Sequence, residues 1–106
     1  MTKYLLAYHG GSMPETEAEQ ARTIAAWGAG LETLGTAIVD AGNPTGQIVT
    51  VASDASVVPG GGSNPVSGYG LIEAADIETA AEMAKGCPIL VSGGSVEVCE
   101  IFDVGL

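Results

Sequence analysis

The sequence predicts an α+β fold, because two strand–helix–strand units follow one another along the chain. The composition is globular, with 46% hydrophobic and only 15% charged residues. A length of 106 residues fits one domain. We therefore expect a single domain over residues 1–106, with a modest core that association with a second copy would enlarge.

The first unit opens with a predicted strand over residues 3–9, in which alternation makes both faces largely apolar. A helix follows and runs to about residue 34, where Gly35 is the expected stop. Capping-box sequences lie at residues 12–15 and 16–19, and Pro14 suits a helix start. A short strand over residues 36–40 completes the unit. The predicted buried stripe of the helix consists of Gln20, Ile24, Trp27, Leu31 and Leu34.

The middle of the chain predicts a hairpin, with strands at residues 47–52 and 56–58 around a turn at 53–55. Residues 59–65 (P-G-G-G-S-N-P) form a predicted flexible loop. The hairpin is an insertion between the two strand–helix–strand units.

The second unit comprises a strand at residues 68–74, a helix capped by Asp76, and a last strand at 95–102. Gly86 ends the helix and Pro88 prevents its continuation. The predicted apolar face of this helix consists of Ile77, Ala80, Ala81 and Ala84.

This element order is the ferredoxin-like βαββαβ arrangement with an inserted hairpin. Its third main strand lies between the first two, which are parallel to each other. His9, Asp40 and Tyr69 are then expected at one edge of the sheet, roughly 10 Å across. Since helices cover only one face of such a sheet, the second apolar face of the first strand predicts contact with a second subunit.

Charge and composition exclude several kinds of partner. The net charge is −10, from 13 acids against three separated cations, so neither nucleic-acid phosphates nor an anionic membrane surface is an expected partner. The apolar run at the start is too short for a signal peptide, and we expect a cytoplasmic protein. Cys87 and Cys99 have no metal-ligand spacing and are expected to be free thiols. We expect neither a metal nor a cofactor.

With these segments in place, the chain resembles the YCII-related family. The matching stretches include K-Y-L-L-A-Y-H at residues 3–9, L-E-T-L-G at 31–35 and G-N-P at 42–44. The most specific are G-Y-G-L-I-E-A at 68–74, A-A-E-M-A-K-G-C-P-I-L at 80–90 and S-V-E-V-C-E-I at 95–101. The resemblance implies a dimeric α/β-barrel fold with a pocket, a homodimer and a single domain of this type.

Two features depart from the family pattern. Many relatives carry Asp-Gly-Pro-Phe before the third main strand, where this chain has the glycine-rich residues 59–65. Some relatives have been proposed to act through a His-Asp pair on and just after the first helix. Residues 12–35 of this chain contain neither residue type, so that pair cannot be carried over.

The sequence therefore supports two functional hypotheses. In the first, the protein is a small-molecule enzyme with a pocket at the sheet edge, where His9 is the acid or base, Asp40 orients it and Tyr69 donates to the substrate. In the second, the chain is a non-catalytic ligand- or partner-binding dimeric module. For His9 a structural role at a strand end is the alternative, and for Asp40 it is turn chemistry. Trp27 either packs in the core or lines a ligand cavity.

Overall fold

The computed structural model describes residues 1–11 and 15–105. Within them lie eight regular elements, joined in places by short 3-10 turns at Gly35–Ala37 and Pro88–Leu90. The elements are β1 (Thr2–His9), α1 (Glu17–Leu34), β2 (Ile38–Asp40), β3 (Val49–Val51), β4 (Val57–Pro59), β5 (Val66–Ala74), α2 (Ile77–Ala84) and β6 (Ser95–Glu100).

Four strands form the main sheet, in the order β2-β5-β1-β6 with every neighbouring pair antiparallel. Because β1 and β2 are both antiparallel to β5, they are parallel to each other, as the ferredoxin-like arrangement requires. β3 and β4 form a separate two-stranded sheet, the inserted hairpin. The predicted α+β fold is confirmed.

The core lies between one face of this sheet and α2. Alternation along β1 buries Tyr4, Leu6 and Tyr8, and Leu6 is only 1% exposed. Ala80 and Ala84 of α2 are buried against them, because small side chains let the helix approach the sheet closely. This helix-packed side is called the covered face below.

The predicted stripes on the helices are only partly buried. In α1, Trp27 and Leu34 pack against the core, whereas Ile24 is 72% exposed and Gln20 is exposed as well. The reason is that α1 makes its main contacts with the two 3-10 turns rather than with the sheet, so its first half lies away from the core. In α2, Ile77 and Ala81 are likewise exposed.

Helix ends follow the predicted capping chemistry. Thr16 is the N-cap of α1, where its hydroxyl accepts a hydrogen bond from the amide of Glu19 at 3.1 Å. Asp76 caps α2 in the same way through the amide of Thr79. The other predicted capping box, at residues 12–15, and Pro14 lie wholly or partly outside the described residues.

All six strands differ from the prediction by one or two residues at one or both ends, and β2 and β6 are both shorter than expected. β2 starts at Ile38 rather than at residue 36, because Gly35–Ala37 form a 3-10 turn. β6 ends at Glu100 rather than at residue 102, although the amide of Ile101 still donates to the carbonyl of Lys3 at 3.0 Å.

The second face of the main sheet, called the open face, carries Leu5, Ala7, His9, Tyr69, Leu71 and Cys99. The described part of the chain is 43 × 41 × 19 Å, so its thin dimension holds one helix layer and one sheet layer. Its radius of gyration is 15.2 Å, against about 13 Å for a compact domain of 100 residues. None of the helices described has the length and hydropathy of a bilayer-spanning segment.

Candidate functional site

His9 is the single histidine of the sequence and the last residue of β1. Its Nδ1 lies 3.0 Å from the backbone oxygen of Asn64 and 3.2 Å from that of Pro65. Because a carbonyl oxygen can only accept, Nδ1 carries a proton and donates it. The loop before β5 therefore orients the imidazole and covers it, leaving the residue 8% exposed.

The other ring nitrogen faces a carboxylate. Nε2 of His9 lies 2.5 Å from Oε1 of Glu97, within the distance of an ion pair but without hydrogen-bond alignment. The side chain of Glu97 is 63% exposed, against 10% for His9, so a ligand meets the carboxylate before the ring.

The pairing register explains why Glu97 is the partner of His9. β6 is antiparallel to β1, with His9 opposite Ser95 and Ala7 opposite Glu97. Alternation then places Glu97 on the open face, diagonal to His9. The sequence indicates that Glu97 shares a face with Cys99, but it does not specify which strand lies beside β6.

Tyr69 lies on the same open face as His9, on the neighbouring strand β5. It pairs with Ala7, two residues before His9. The structure thus brings Tyr69 and His9 into adjacent positions on the sheet, although their polar atoms form no hydrogen bond among the described residues.

Asp40 lies elsewhere on the sheet, contrary to the expectation that it shares an edge with His9. It is opposite Leu71, which pairs with Leu5, and Leu5 is four residues from His9. The separation is therefore about 13 Å along the strands in addition to two strand spacings across. Its carboxylate accepts a hydrogen bond from the amide of Gly42 at 2.8 Å, which is turn chemistry. The catalytic roles given to His9, Asp40 and Tyr69 stay predictions.

A cavity of about 110 Å³ lies on the covered face, between α1, the end of α2 and β1. Alternation along β1 places His9 on the opposite side of the sheet from this cavity. The rings of Tyr8 and Trp27 lie 5.2 Å apart with a 58° tilt. The cavity walls include Tyr8, Trp27, Leu31, Leu34, Met83 and Cys87.

Two polar groups in these walls are kept in their neutral forms. Burial raises the pKa of the Tyr8 phenol well above its ordinary value of 10.0, and the Cys87 thiol beside it adds to the effect. Burial also raises the pKa of Cys87 above its ordinary 9.0, so the thiol is a poor nucleophile at neutral pH. The cavity therefore offers neutral polar groups and apolar walls.

The glycines on either side of Tyr69 make room for the ring of Tyr8. A methyl group on Gly70 would lie 3.1 Å from the Tyr8 hydroxyl oxygen, and one on Gly68 would lie 3.2 Å from Cδ2 of the same ring. Because Gly68 and Gly70 have no side chains, the Tyr8 ring can pack directly on the backbone of β5 and reach the cavity.

The residues described contain no group of three or more His, Cys, Asp or Glu side chains placed to hold a metal ion. Cys87 and Cys99 are both free. No protein-family model matches the chain, and no curated protein matches it in sequence.

Proposed function

We propose that the chain is a homodimeric small-molecule-binding module of the dimeric α/β-barrel type that its resemblance to the YCII-related family implies. Two protomers pack open face to open face, with the helices outside. The observation that carries the proposal is the division of the sheet into a covered face with a cavity and an open face with apolar side chains. The cytoplasmic location stays a prediction.

The open face has the composition of a protein interface. An apolar row crosses three strands where Leu5 lies opposite Leu71 on one side and Cys99 on the other. Charges lie toward the ends of the face, with Lys3 opposite Glu73 at one end and Glu97 at the other. An apolar centre with a charged rim is typical of specific interfaces.

Leu5→Lys tests the dimer, because Leu5 is at the centre of this row. The new cation reduces the magnitude of the net charge of −10, so a loss of association does not come from greater overall repulsion between protomers. We expect at least a tenfold weaker dimer in sedimentation equilibrium. Ile24→Lys, on the exposed half of α1, is the matched control and should leave association unchanged. A wild-type protein that stays monomeric at tens of micromolar would overturn this part of the proposal.

The ligand is inferred from the size and chemistry of the cavity. Its volume is about 110 Å³, whereas an engineered apolar cavity of about 150 Å³ holds benzene. Its walls are mostly apolar, and an acidic chain disfavours anions. The expected ligand is a neutral, largely apolar molecule of at most about six heavy atoms.

Trp27 is the only tryptophan in the sequence, so its fluorescence reports directly on the cavity. We expect benzene, used as the probe, to change Trp27 emission in a saturable way. Gly30→Leu fills the cavity from α1 and should abolish the change, whereas Gly28→Leu, at a position where an added Cβ has no atom within 4 Å, should keep it. An unchanged emission up to the solubility of benzene would contradict the ligand assignment.

Acid–base chemistry at the sheet edge is the second candidate function, favoured by the 2.5 Å contact between His9 and Glu97. In this mechanism the exposed Glu97 exchanges protons with a substrate and His9 acts as its positioning residue. The probe is uptake of solvent deuterium by enolisable ketones, followed by NMR. Uptake that is lost in Glu97→Gln but kept in Glu100→Gln, on the same strand, would support it. Equal deuterium uptake in both variants would contradict the acid–base function.

A further inference from the structure

The β3–β4 hairpin presents an apolar face to solvent. All six strand residues are exposed, and Val51 is 65% exposed. Val49 pairs with Pro59 and Val51 with Val57, so these four side chains share one side, called the valine face. Thr50 and Val58 lie on the other side.

The hairpin is a well-defined element despite this exposure. The Ala52 amide donates to the carbonyl of Ser56 at 2.8 Å, and the amide of Ser56 donates to the Asp54 carboxylate at 2.9 Å. A two-stranded hairpin is marginally stable by itself in water. Its valine face therefore indicates a contact that the described part of this chain does not supply to it.

The distribution of charge favours a second copy of this chain as the occupant. Residues 41–72 carry a single charged side chain, Asp54, although the whole chain has a net charge of −10. Two such polyanions repel each other least where the facing surfaces are neutral. A basic partner would instead select the acidic segments outside residues 41–72.

The open face is also small enough for further contacts to matter. The 26 residues of its four strands give it a projected footprint of roughly 400 Å² at about 3.4 Å per residue and 4.8 Å per strand. A stable interface buries about 800 Å² of accessible surface per partner. Apolar contacts from the two hairpins would add to the area that the sheets bury.

We propose that the valine face of the β3–β4 hairpin is an arm that packs on the second protomer and completes the dimer interface. This inference rests on the proposed dimer. The arm contributes apolar contacts outside the sheet, so that each protomer both gives and receives a hairpin, as the two-fold symmetry of a homodimer requires.

Val51→Lys tests the arm in the full chain. We expect the dimer dissociation constant in sedimentation equilibrium to rise at least tenfold while circular dichroism stays unchanged. Val58→Lys places the same charge on the other side of the same hairpin and should change the constant less than threefold. Val57→Lys, on the valine face but on the neighbouring strand, repeats the test independently.

The outcomes separate the arm from the dimer itself. A wild-type dimer that Leu5→Lys disrupts and Val51→Lys leaves intact overturns the arm and keeps the proposed function. A monomeric wild type overturns both. An unchanged dissociation constant together with a lower thermal midpoint at every protein concentration shows that the hairpin packs on its own chain, which also overturns the arm.

Discussion

Gly42→Ala is expected to destabilise the protein strongly, because the backbone of residues 41–45 lies directly on β5. Gly42 has φ of 75°, and a methyl group there would lie 1.6 Å from the carbonyl oxygen of Tyr69. It would also lie 2.5 Å from the Tyr69 carbonyl carbon and 3.0 Å from Cα of Gly70. All three atoms belong to the backbone of an interior strand, so no side chain can rotate away.

The expected loss of stability follows from the backbone strain and the hydrogen bonds that the substitution affects. A left-handed conformation costs an alanine about 1–2 kcal/mol. To relieve the overlap, the segment must move off β5 and lose two backbone hydrogen bonds, from Thr45 to the Ser67 carbonyl at 3.0 Å and from Tyr69 to the Asn43 carbonyl at 3.2 Å. At about 1 kcal/mol each, these bring the expected loss to about 3–4 kcal/mol. A domain of this size is stable by only about 5–15 kcal/mol.

Urea unfolding at one fixed protein concentration measures the effect, since association would otherwise add to the stability. Gly46→Ala, one residue beyond this segment, is the matched control. Gly46 has no positive φ and no atom within 4 Å of an added methyl group, so the change should lie within about 1 kcal/mol of wild type and can be stabilising. If the two variants unfold at the same urea concentration, the close approach of residues 41–45 to β5 is incorrect.

Three further predictions concern ionisable groups. Hydrogen bonds from Thr79 lower the pKa of Asp76 below its ordinary 3.8, so the ionised carboxylate stabilises the fold. The thermal midpoint of wild type should therefore exceed that of Asp76→Asn at pH 6, and the difference should fade below about pH 3.8. Equal differences at pH 6 and pH 2.5 would contradict this prediction. Burial raises the pKa of Tyr8, so the contribution of its neutral phenol to stability is complete below pH 10.0 and is lost as the pH rises further. In Tyr8→Phe, the free energy of unfolding in urea should therefore fall less between pH 9 and 11 than in wild type. An identical fall in both proteins would count against this prediction. Long-range ¹H–¹⁵N spectra should show a protonated Nδ1 on His9 in wild type and in Glu97→Gln, because this nitrogen donates to backbone oxygens; a ring protonated at Nε2 alone would contradict the geometry.

Much of the fold could be predicted because its signals are local. Thr16 and Asp76 cap their helices through bonds to residues three positions away, and Gly35 follows the last residue of α1. The alternation of β1 correctly separates its two faces. These features depend on neighbours along the chain, so the sequence carries them without reference to tertiary contacts.

The predicted helix stripes were less accurate for a physical reason. Ile24 and Ile77 have the spacing of core residues, but both are exposed because the helices cover only part of the sheet. Periodicity identifies the apolar side of a helix and not how far along its length another element reaches.

The candidate site could likewise be predicted only in part, because its contacts join residues distant in the chain. The sequence singled out His9 as a candidate acid or base, which stays a prediction. It could not identify Glu97 as the neighbour of its Nε2, or the Asn64 and Pro65 carbonyls as the partners of its Nδ1. The loop oxygens are 55 and 56 residues away along the chain, and their backbone chemistry is the same at every position. The predicted position of Asp40 beside His9 was wrong because β2 ends opposite Leu71 in the middle of β5, rather than at the end of the sheet where His9 lies.

The amino-acid sequence by itself determined the element order, the capped helix ends, the apolar character of both sides of β1 and the acidic charge. Tertiary structure alone decided the strand register, the pairing of His9 with Glu97, the cavity beside Tyr8 and Trp27, and the exposure of the β3–β4 valines. The difference is one of range: hydrogen bonds and alternation act over a few residues, whereas register and coverage depend on surfaces that meet only after distant segments have packed.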